Sequence, residues 1–458
     1  MTNTRIESDS MGELEVPADA LYGAQTQRAV NNFPVSGQVM PAPFIRSIIE
    51  VKHAAATANK DLELLDPAIA DAIHKACERL LDDDNLMSHF PVDVYQTGSG
   101  TSTNMNANEV IANLASKLSG TDIHPNDHVN YGQSSNDVIP TTIHVSAARM
   151  LHTELLPALT KLRDTIEAKA VTLREYCKTG RTHLMDAMPI RMDQSLSGWQ
   201  AQIDQQIQSL THLQPAIQSL ALGGTAVGTG INCHPDFANT FATRLSERLG
   251  ISFTPATNHF ALIASQDTAV TLSGMLKSTA VTFMKVANDL RWMNSGPLAG
   301  LGEIALPELQ PGSSIMPGKV NPVIPEAVTM SAAQVMGNDT AITIGGQSGN
   351  FELNVMLPLI ALNLLNSIEL LSNSALLLAD KAIEGFTVNR ENLEKALHKN
   401  PILVTALNPV IGYSKAAEIA KRAYKEKRPI IDVADEMTEL SKAELSKLLD
   451  PIKLTSND

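Results

Sequence analysis

The residues with the clearest chemical potential lie between positions 312 and 326, which read Gly-Ser-Ser-Ile-Met-Pro-Gly-Lys-Val-Asn-Pro-Val-Ile-Pro-Glu. Two adjacent hydroxyls, three prolines, two glycines and one lysine make the segment too broken for a helix or a strand. Its backbone conformation is dictated by Gly and Pro. Main-chain N–H groups beside Ser313 and Ser314 could line an anion pocket, with Lys319 and Asn321 as further donors. An ordinary proline-rich surface loop has the same composition, so these residues alone leave both readings open.

Three more polar clusters stand out from an aliphatic background: Gly98-Ser-Gly-Thr-Ser-Thr-Asn-Met-Asn106, Gln133-Ser-Ser-Asn-Asp137 and Gly180-Arg-Thr-His-Leu-Met-Asp-Ala187. The first two suit helix caps, with Asn108–Lys117 and Val138–Leu151 as the capped helices. Their donors outnumber what one cap needs, and helix starts rich in neutral donors hold carboxylates. His183 reads either as a satisfied histidine at a helix junction or as a working group flanked by Arg181, Thr182 and Asp186. The pair His124 and His128 invites a metal reading, which Pro125 and the lack of an H-E-x-x-H pattern argue against. Cys77, Cys177 and Cys233 are odd in number, far apart and without C-x-x-C spacing. That usage suits a reducing compartment, and with Cys77 and Cys177 in helix-like stretches it argues against an iron–sulfur cluster.

These clusters must be positioned by long helices. A chain of 458 residues exceeds one core and divides into about three domains. The expected divisions are a mixed, mostly helical domain over 1–134, a long-helix bundle over 135–390 and a small helical domain over 391–458. Short helical patterns at 44–60 and 67–82 precede long ones at 137–175, 191–222, 261–294, 324–344 and 352–384. Ala269, Leu272, Leu276, Thr279, Phe283, Val286 and Leu290 alternate steps of three and four, the seam of a bundle helix. Leu353, Leu357, Ile360, Leu364 and Leu371 repeat the device, while Val355, Met356, Leu359, Leu362 and Leu365 make other faces apolar. Such a helix is buried on several sides, which points to a bundle continued into neighbouring chains. Pro157 and Pro358 are expected to kink their helices.

A net charge of −14 argues against nucleic-acid and anionic-membrane partners. It also means that an anionic substrate must be attracted locally, by donors, helix N-termini and a few cations. The first ten residues lack an apolar leader and no apolar run approaches a membrane span, so a soluble, cytoplasmic protein is expected.

The run 312–326 closely resembles the signature loop of the fumarase/aspartase superfamily. Arg5–Glu13, Tyr22–Arg28, Thr97–Thr101, Ser134–Asp137, Arg181–His183 and Gly349–Met356 extend a resemblance to class II fumarases across essentially the whole chain. The resemblance implies a mainly α fold of three domains, whose central five-helix bundle forms a 20-helix core in a homotetramer. It implies a hydro-lyase of the tricarboxylic acid cycle acting on malate and fumarate. Neither metal nor organic cofactor is expected, and each active site would be shared between three subunits. It further implies Ser313 as catalytic base, His183 as the acid/base that handles water and Glu326 as its carboxylate partner. Substrate-binding positions would be Ser99, Gly100, Thr101, Ser134, Ser135, Asn136, Thr182, Ser314, Lys319, Val320 and Asn321. His124, Pro125, Asn126 and Asp127 match a second, non-catalytic dicarboxylate site.

Chemistry fits these roles. Dehydrating malate breaks a C–H bond beside a carboxylate, and donors already in place must stabilise the aci-carboxylate. A serine needs its alkoxide stabilised, for which N–H groups in a Gly/Pro turn are a plausible means. A histidine beside Glu326 would have a raised pKa, useful near neutrality. Gly and Pro around Ser313 suit a loop that closes over substrate. Two rivals are weighed. Val323-Ile-Pro-Glu326 looks more like aspartase, but aspartases typically carry Gln where His183 stands and Gln-Leu-Gln-Leu-Asn where Asn350-Phe-Glu-Leu-Asn354 stands. A non-catalytic scaffold would have eroded the polar residues that this chain keeps.

Overall fold

The computed structural model describes residues 4–456. The described chain is mainly helical, and its strands occur as short two-stranded pairs. It divides into two compact units. One comprises Met1–Pro157, Gln208–Ala280 and Ala332–Ser372; the other comprises Ala158–Ile207, Val281–Ser331 and Asn373–Asp458.

Five long helical runs appear where the apolar spacing places them. Four are the helices Met192–Ile217, Asp267–Met293, Val323–Gln347 and Leu357–Leu378, each contributing residues to both units. In Asp267–Met293, every seam position from Ala269 to Leu290 is at most 1% exposed. Full burial of Leu272, Leu276, Phe283 and Leu290 contributes roughly 1.5–3 kcal/mol per side chain. Leu357, Ile360, Leu364 and Leu371 are equally buried, whereas Leu359 and Leu362 are half-buried and Val355 is exposed.

The fifth run consists of Ser135–Met150 and Leu156–Thr172, joined by a widened helical turn at Leu151–Leu155. Pro157 follows that turn directly. Its ring removes an N–H and crowds the preceding turn, so the run is interrupted there rather than continuous. Pro358 does not kink its helix as expected. It is the second residue of Leu357–Leu378, where its missing N–H has no helical acceptor to lose.

Several local expectations need correction. Leu353 lies in the short strand Leu353–Asn354, before its helix begins. The run 312–326 is irregular only to Pro322, because helix Val323–Gln347 includes Pro325 and Glu326 in its first turn, where proline is tolerated. Cys177 opens a strand rather than lying in a helix. His124 caps a helical turn over Pro125–Val129, with the proline at its first position. Leu357–Ile383 is long and apolar enough to span a membrane, contrary to the sequence reading; more than half of its most apolar stretch is buried in the fold.

Within the first unit, helix Ala42–Asp61 buries Phe44, Ile45, Ile48, Ile49, Val51 and Ala55. The same helix also buries Glu50, Lys52 and Asn59, which an apolar core does not explain. Within the second unit, strands Cys177–Thr182 and Met185–Arg191 form an antiparallel hairpin. The C-terminal helices Tyr413–Glu426, Ile430–Met437 and Lys442–Leu448 enclose their own core of Leu407, Ile419, Val433 and Leu445.

Candidate active site

The loop around Ser313 is closed by its own backbone. Gly312 N–H donates to Lys319 C=O at 2.8 Å, and Asn321 Nδ2 donates to Gly312 C=O at 2.6 Å. A Cβ on Gly312 would lie 2.3 Å from the Lys319 oxygen, so only glycine permits this closure. Inside the loop, Ser313 Oγ accepts the main-chain N–H groups of Ile315 at 3.2 Å and Met316 at 3.0 Å. Two converging N–H dipoles favour negative charge on that oxygen. The half-buried Ser313 is followed by the exposed Ser314, Ile315 and Lys319. Glu326 sits in the first turn of helix Val323–Gln347, where the helix dipole favours a carboxylate. Lys319, Val320, Asn321 and Glu326 line one cavity of about 700 Å³, together with Trp292, Asn294 and Glu308.

His183 occupies the tip of the hairpin. It and Leu184 both have left-handed backbone, at φ 57° and 58°, and both side chains are exposed. Such a conformation costs roughly 1–2 kcal/mol for a non-glycine residue, and the strands on either side fix it. The base of the hairpin is pinned by the buried Glu303, which accepts Lys178 Nζ at 2.7 Å and Arg181 Nη2 at 2.6 Å. Lys178 and Arg181 help line a second cavity, of about 510 Å³, with Leu184, Trp199 and Trp292. Trp292 lines both cavities. Among the described residues no ion pair joins His183 to Glu326 of the same chain.

The first unit holds the other two clusters. Helix Thr101–Ser119 begins earlier than the sequence reading placed it, so Thr101–Asn106 are helical rather than a preceding cap. Gly100 turns the chain at φ 72°, and Gln96 Oε1 accepts both N–H and Oγ–H of Thr103, each at 2.9 Å. Ser99 and Thr101 hydroxyls lie 2.7 Å apart. A Cβ on Gly98 would stand 1.9 Å from Val355 C=O, so the segment is clamped by its neighbours. Ser134 caps the helix Ser135–Met150 through a reciprocal pair: Asn136 N–H donates to Ser134 Oγ at 3.2 Å, and Ser134 N–H donates to Asp137 Oδ1 at 2.9 Å. Asn136 Nδ2 donates to Ala226 C=O at 2.8 Å. The two clusters meet where Asn104 Nδ2 donates to Ser135 Oγ at 2.9 Å.

Beneath them lie two fully buried charges. Burial pulls the Lys52 ammonium down to about 7, opposed by the charge of Asp137. Burial pushes the Asp137 carboxyl up to about 6, opposed by the N–H groups of Ser134, Thr225 and Gly223. Sequence reasoning did not single out Lys52 or Glu303. The available signal for Lys52 was a lysine inside Ile48–Ala58, a stretch otherwise patterned for burial.

His124, Pro125 and Asn126 line a separate cavity of about 410 Å³ in the first unit, and Asp127 does not. His124 Nδ1 accepts the N–H groups of Asn126 and Asp127, which fixes its ring at the turn. Glu7, Asp9 and Glu109 line the same cavity. Asp9 is paired with Arg28, and Glu109 accepts the N–H groups of Gly23, Gln25 and Thr26. Burial pushes the Cys177 thiol up to about 11 and the Cys233 thiol up to about 12.

Comparisons with known proteins cover essentially the whole chain. A family model described as "Lyase" matches residues 12–337, and one described as "Fumarase C C-terminus" matches residues 403–456. The chain is similar to a Pseudomonas aeruginosa protein named "Fumarate hydratase class II 2", at 66% identity over 100% of this chain and 99% of that one. It is similar to a Xylella fastidiosa "Fumarate hydratase class II" at 57% identity, covering 98% of this chain and 95% of that one. Its fold matches the crystal structure of a class II fumarase from Schistosoma mansoni with a TM-score of 0.96, at 38% identity over 99% of both chains.

Proposed function

This chain belongs to the class II fumarate hydratase family, and we propose that it interconverts (S)-malate with fumarate and water. The observation that carries the chemistry is the Ser313 hydroxyl oxygen receiving two main-chain N–H groups. In that setting the oxygen is stabilised as an alkoxide, the form that can take a proton from carbon. Ser313 removes a proton from the carbon beside one substrate carboxylate, leaving an aci-carboxylate. His183 then delivers a proton to the departing hydroxyl, so water leaves as the double bond forms. Hydration runs through the same groups in reverse.

Lys319 and Asn321 act as donors to the developing charge, together with Thr101, Ser134, Ser135 and Asn136 from the other polar clusters. Lys319 supplies a fixed charge worth on the order of 4 kcal/mol at contact, with an effective dielectric near 20. Preorganised hydroxyl and amide donors add to this without reorganising during reaction. Glu326 polarises His183 of a neighbouring chain.

The working form is a homotetramer whose sites are shared between subunits. Support comes from apolar side chains that the single chain leaves exposed on its long helices: Val281 at 55%, Met330 at 68% and Ile344 at 49%. The exposed His183 and Lys319 fit a site completed by other chains. Helix-rich cores with such uncovered faces are resolved by symmetric association. The segment 124–127 serves as a second dicarboxylate site.

Separate incubation with (S)-malate and L-aspartate tests the reaction. Fumarate absorbance is expected to grow with malate alone. Fumarate formed only from aspartate, with ammonia, would make the chain an aspartase.

A further inference from the structure

The cluster beneath the two donor segments of the first unit is unusual for a helical core. Lys52 is 0% exposed on helix Ala42–Asp61. Its ammonium donates to Asn130 Oδ1 at 2.8 Å and Gln133 Oε1 at 2.9 Å. Asn130 Nδ2 donates in turn to Gln133 C=O at 3.2 Å, the residue directly before Ser134. Asn130 Oδ1 also accepts Asn104 Nδ2 at 3.2 Å and Asn108 Nδ2 at 3.1 Å. Asn104 Nδ2 reaches Ser135 Oγ at 2.9 Å. The Oδ1 atoms of Asn104 and Asn108 are buried without a partner in the chain, so acceptor capacity in the cluster exceeds what the protein's own donors use.

We propose that Lys52 is a positioning residue for the hydratase site: its buried ammonium locks the helix starts at Thr101 and Ser135 to each other and places a positive charge behind their neutral donors. This inference rests on the function proposed above. Three physical arguments support it. Stability alone does not account for the lysine, because enclosing a charge costs desolvation that an all-apolar core of the same volume avoids. Lys52 binds Gln133 of one donor segment directly and reaches Asn104 of the other through Asn130, which is the layout of a brace. The segments themselves offer hydroxyls and amides but no cation, in a chain of net charge −14. A dianionic substrate is then held by neutral donors whose field is set from below by the enclosed Lys52 ammonium, screened little by salt, and the substrate's own charge favours the protonated lysine.

Asp137 attracts this ammonium but, among the described residues, forms no ion pair with it. Its Oδ2 is taken by the N–H groups of Gly223 at 3.1 Å and Thr225 at 2.8 Å, and its Oδ1 by that of Ser134. The carboxylate thus stabilises the turn while the ammonium remains bound to the two amide oxygens.

The test compares Lys52→Met with the unaltered protein, after malate turnover by the unaltered protein has been established. Absence of that turnover would count against the hydratase reading and not against the brace. Lys52→Met keeps length and apolar stem. It is expected to raise KM for malate about tenfold or more while kcat falls less than about threefold, the pattern of lost ground-state binding. The inhibition constant of succinate, an unreactive dicarboxylate, should rise by the same factor. Lys52→Gln keeps an N–H donor without the charge and should give an intermediate KM; it carries the test alone if Lys52→Met does not fold. A folded variant whose KM and succinate constant stay within about twofold of normal overturns the proposal, as does a fall in kcat with KM unmoved.

Discussion

The donor clusters of the first unit and the reactive loop of the second solve opposite problems. Gly98–Asn106 and Gln133–Asp137 are clamped: Val355 C=O leaves no room for a side chain at Gly98, and buried amides tie Asn104 to Ser135. The loop carrying Ser313 is held across its neck by one backbone bond and one from Asn321 Nδ2, and it exposes Ser314, Ile315 and Lys319. Groups that recognise a static carboxylate gain from rigidity, because their orientation is fixed before the substrate arrives. Groups that move protons and admit substrate belong on segments able to shift. The hairpin tip at His183 resembles the loop in exposure, yet its left-handed turn is set by two paired strands and by the Lys178–Glu303–Arg181 triad.

The contrast can be broken at its chemical end first. Ser313→Ala should lower turnover by about 10²–10⁴ with assembly unchanged, the range for losing a proton-transfer group. Near-normal steady-state rates would remove Ser313 from the reaction. Lys319→Met should raise KM for malate by about 10- to 100-fold through loss of a charge at contact. Unaltered kinetics would leave Lys319 as a mere surface cation.

Glycine replacements sharpen the comparison of stiffness. Gly98→Ala must displace backbone 1.9 Å away, and it should lower unfolding free energy by about 1–3 kcal/mol or more. Gly318→Ala meets nothing within 4 Å but adopts φ 79°, so about 1–2 kcal/mol of local conformational cost is expected. Urea denaturation of both variants checks the order; an equal or reversed pair would mean that the first segment yields as readily as the loop.

A smaller effect should appear with pH. Burial lowers His53 to about 3 and His144 to about 4 from the ordinary 6.5, so both are neutral when folded. The unfolded chain binds their protons below 6.5, and the associated stability is lost as pH falls from that value toward about 4 and then 3. Asp137, raised to about 6 by burial, acts oppositely between 6 and its ordinary 3.8. Lys52, lowered by burial to about 7 from 10.5, adds to the two histidines as pH falls toward 7 and below, so three groups against one leave a net loss on acidification. Denaturation midpoints should therefore be lower at pH 5 than at pH 7.5, and a rise would contradict the assignment.

Much of this was legible in the residues. The seam from Ala269 to Leu290 announced its helix because a fully buried stripe needs an unbroken three-and-four rhythm. The Ser313 loop was legible because Gly and Pro restrict backbone so narrowly. Less legible was the start of helix Thr101–Ser119, since its first turn is satisfied by Gln96 from outside the helix. Pro358 misled because proline at a helix start and in a helix interior look alike until the boundary is known. Lys52 offered only its place in a stretch patterned for burial, because its partners at Asn130 and Gln133 lie far along the chain and periodicity carries no such information.

The most direct measurement of the central claim mixes two inactive proteins. Ser313→Ala and His183→Asn would each be prepared, dissociated together and allowed to reassociate, and malate dehydration followed. If Ser313 and His183 of different chains work on one substrate, mixed assemblies contain sites with both groups intact, and activity should return well above either parent. If both groups of one chain serve the same site, or if either group is idle, the mixture will be no more active than its parents, and the account of a shared serine–histidine site fails.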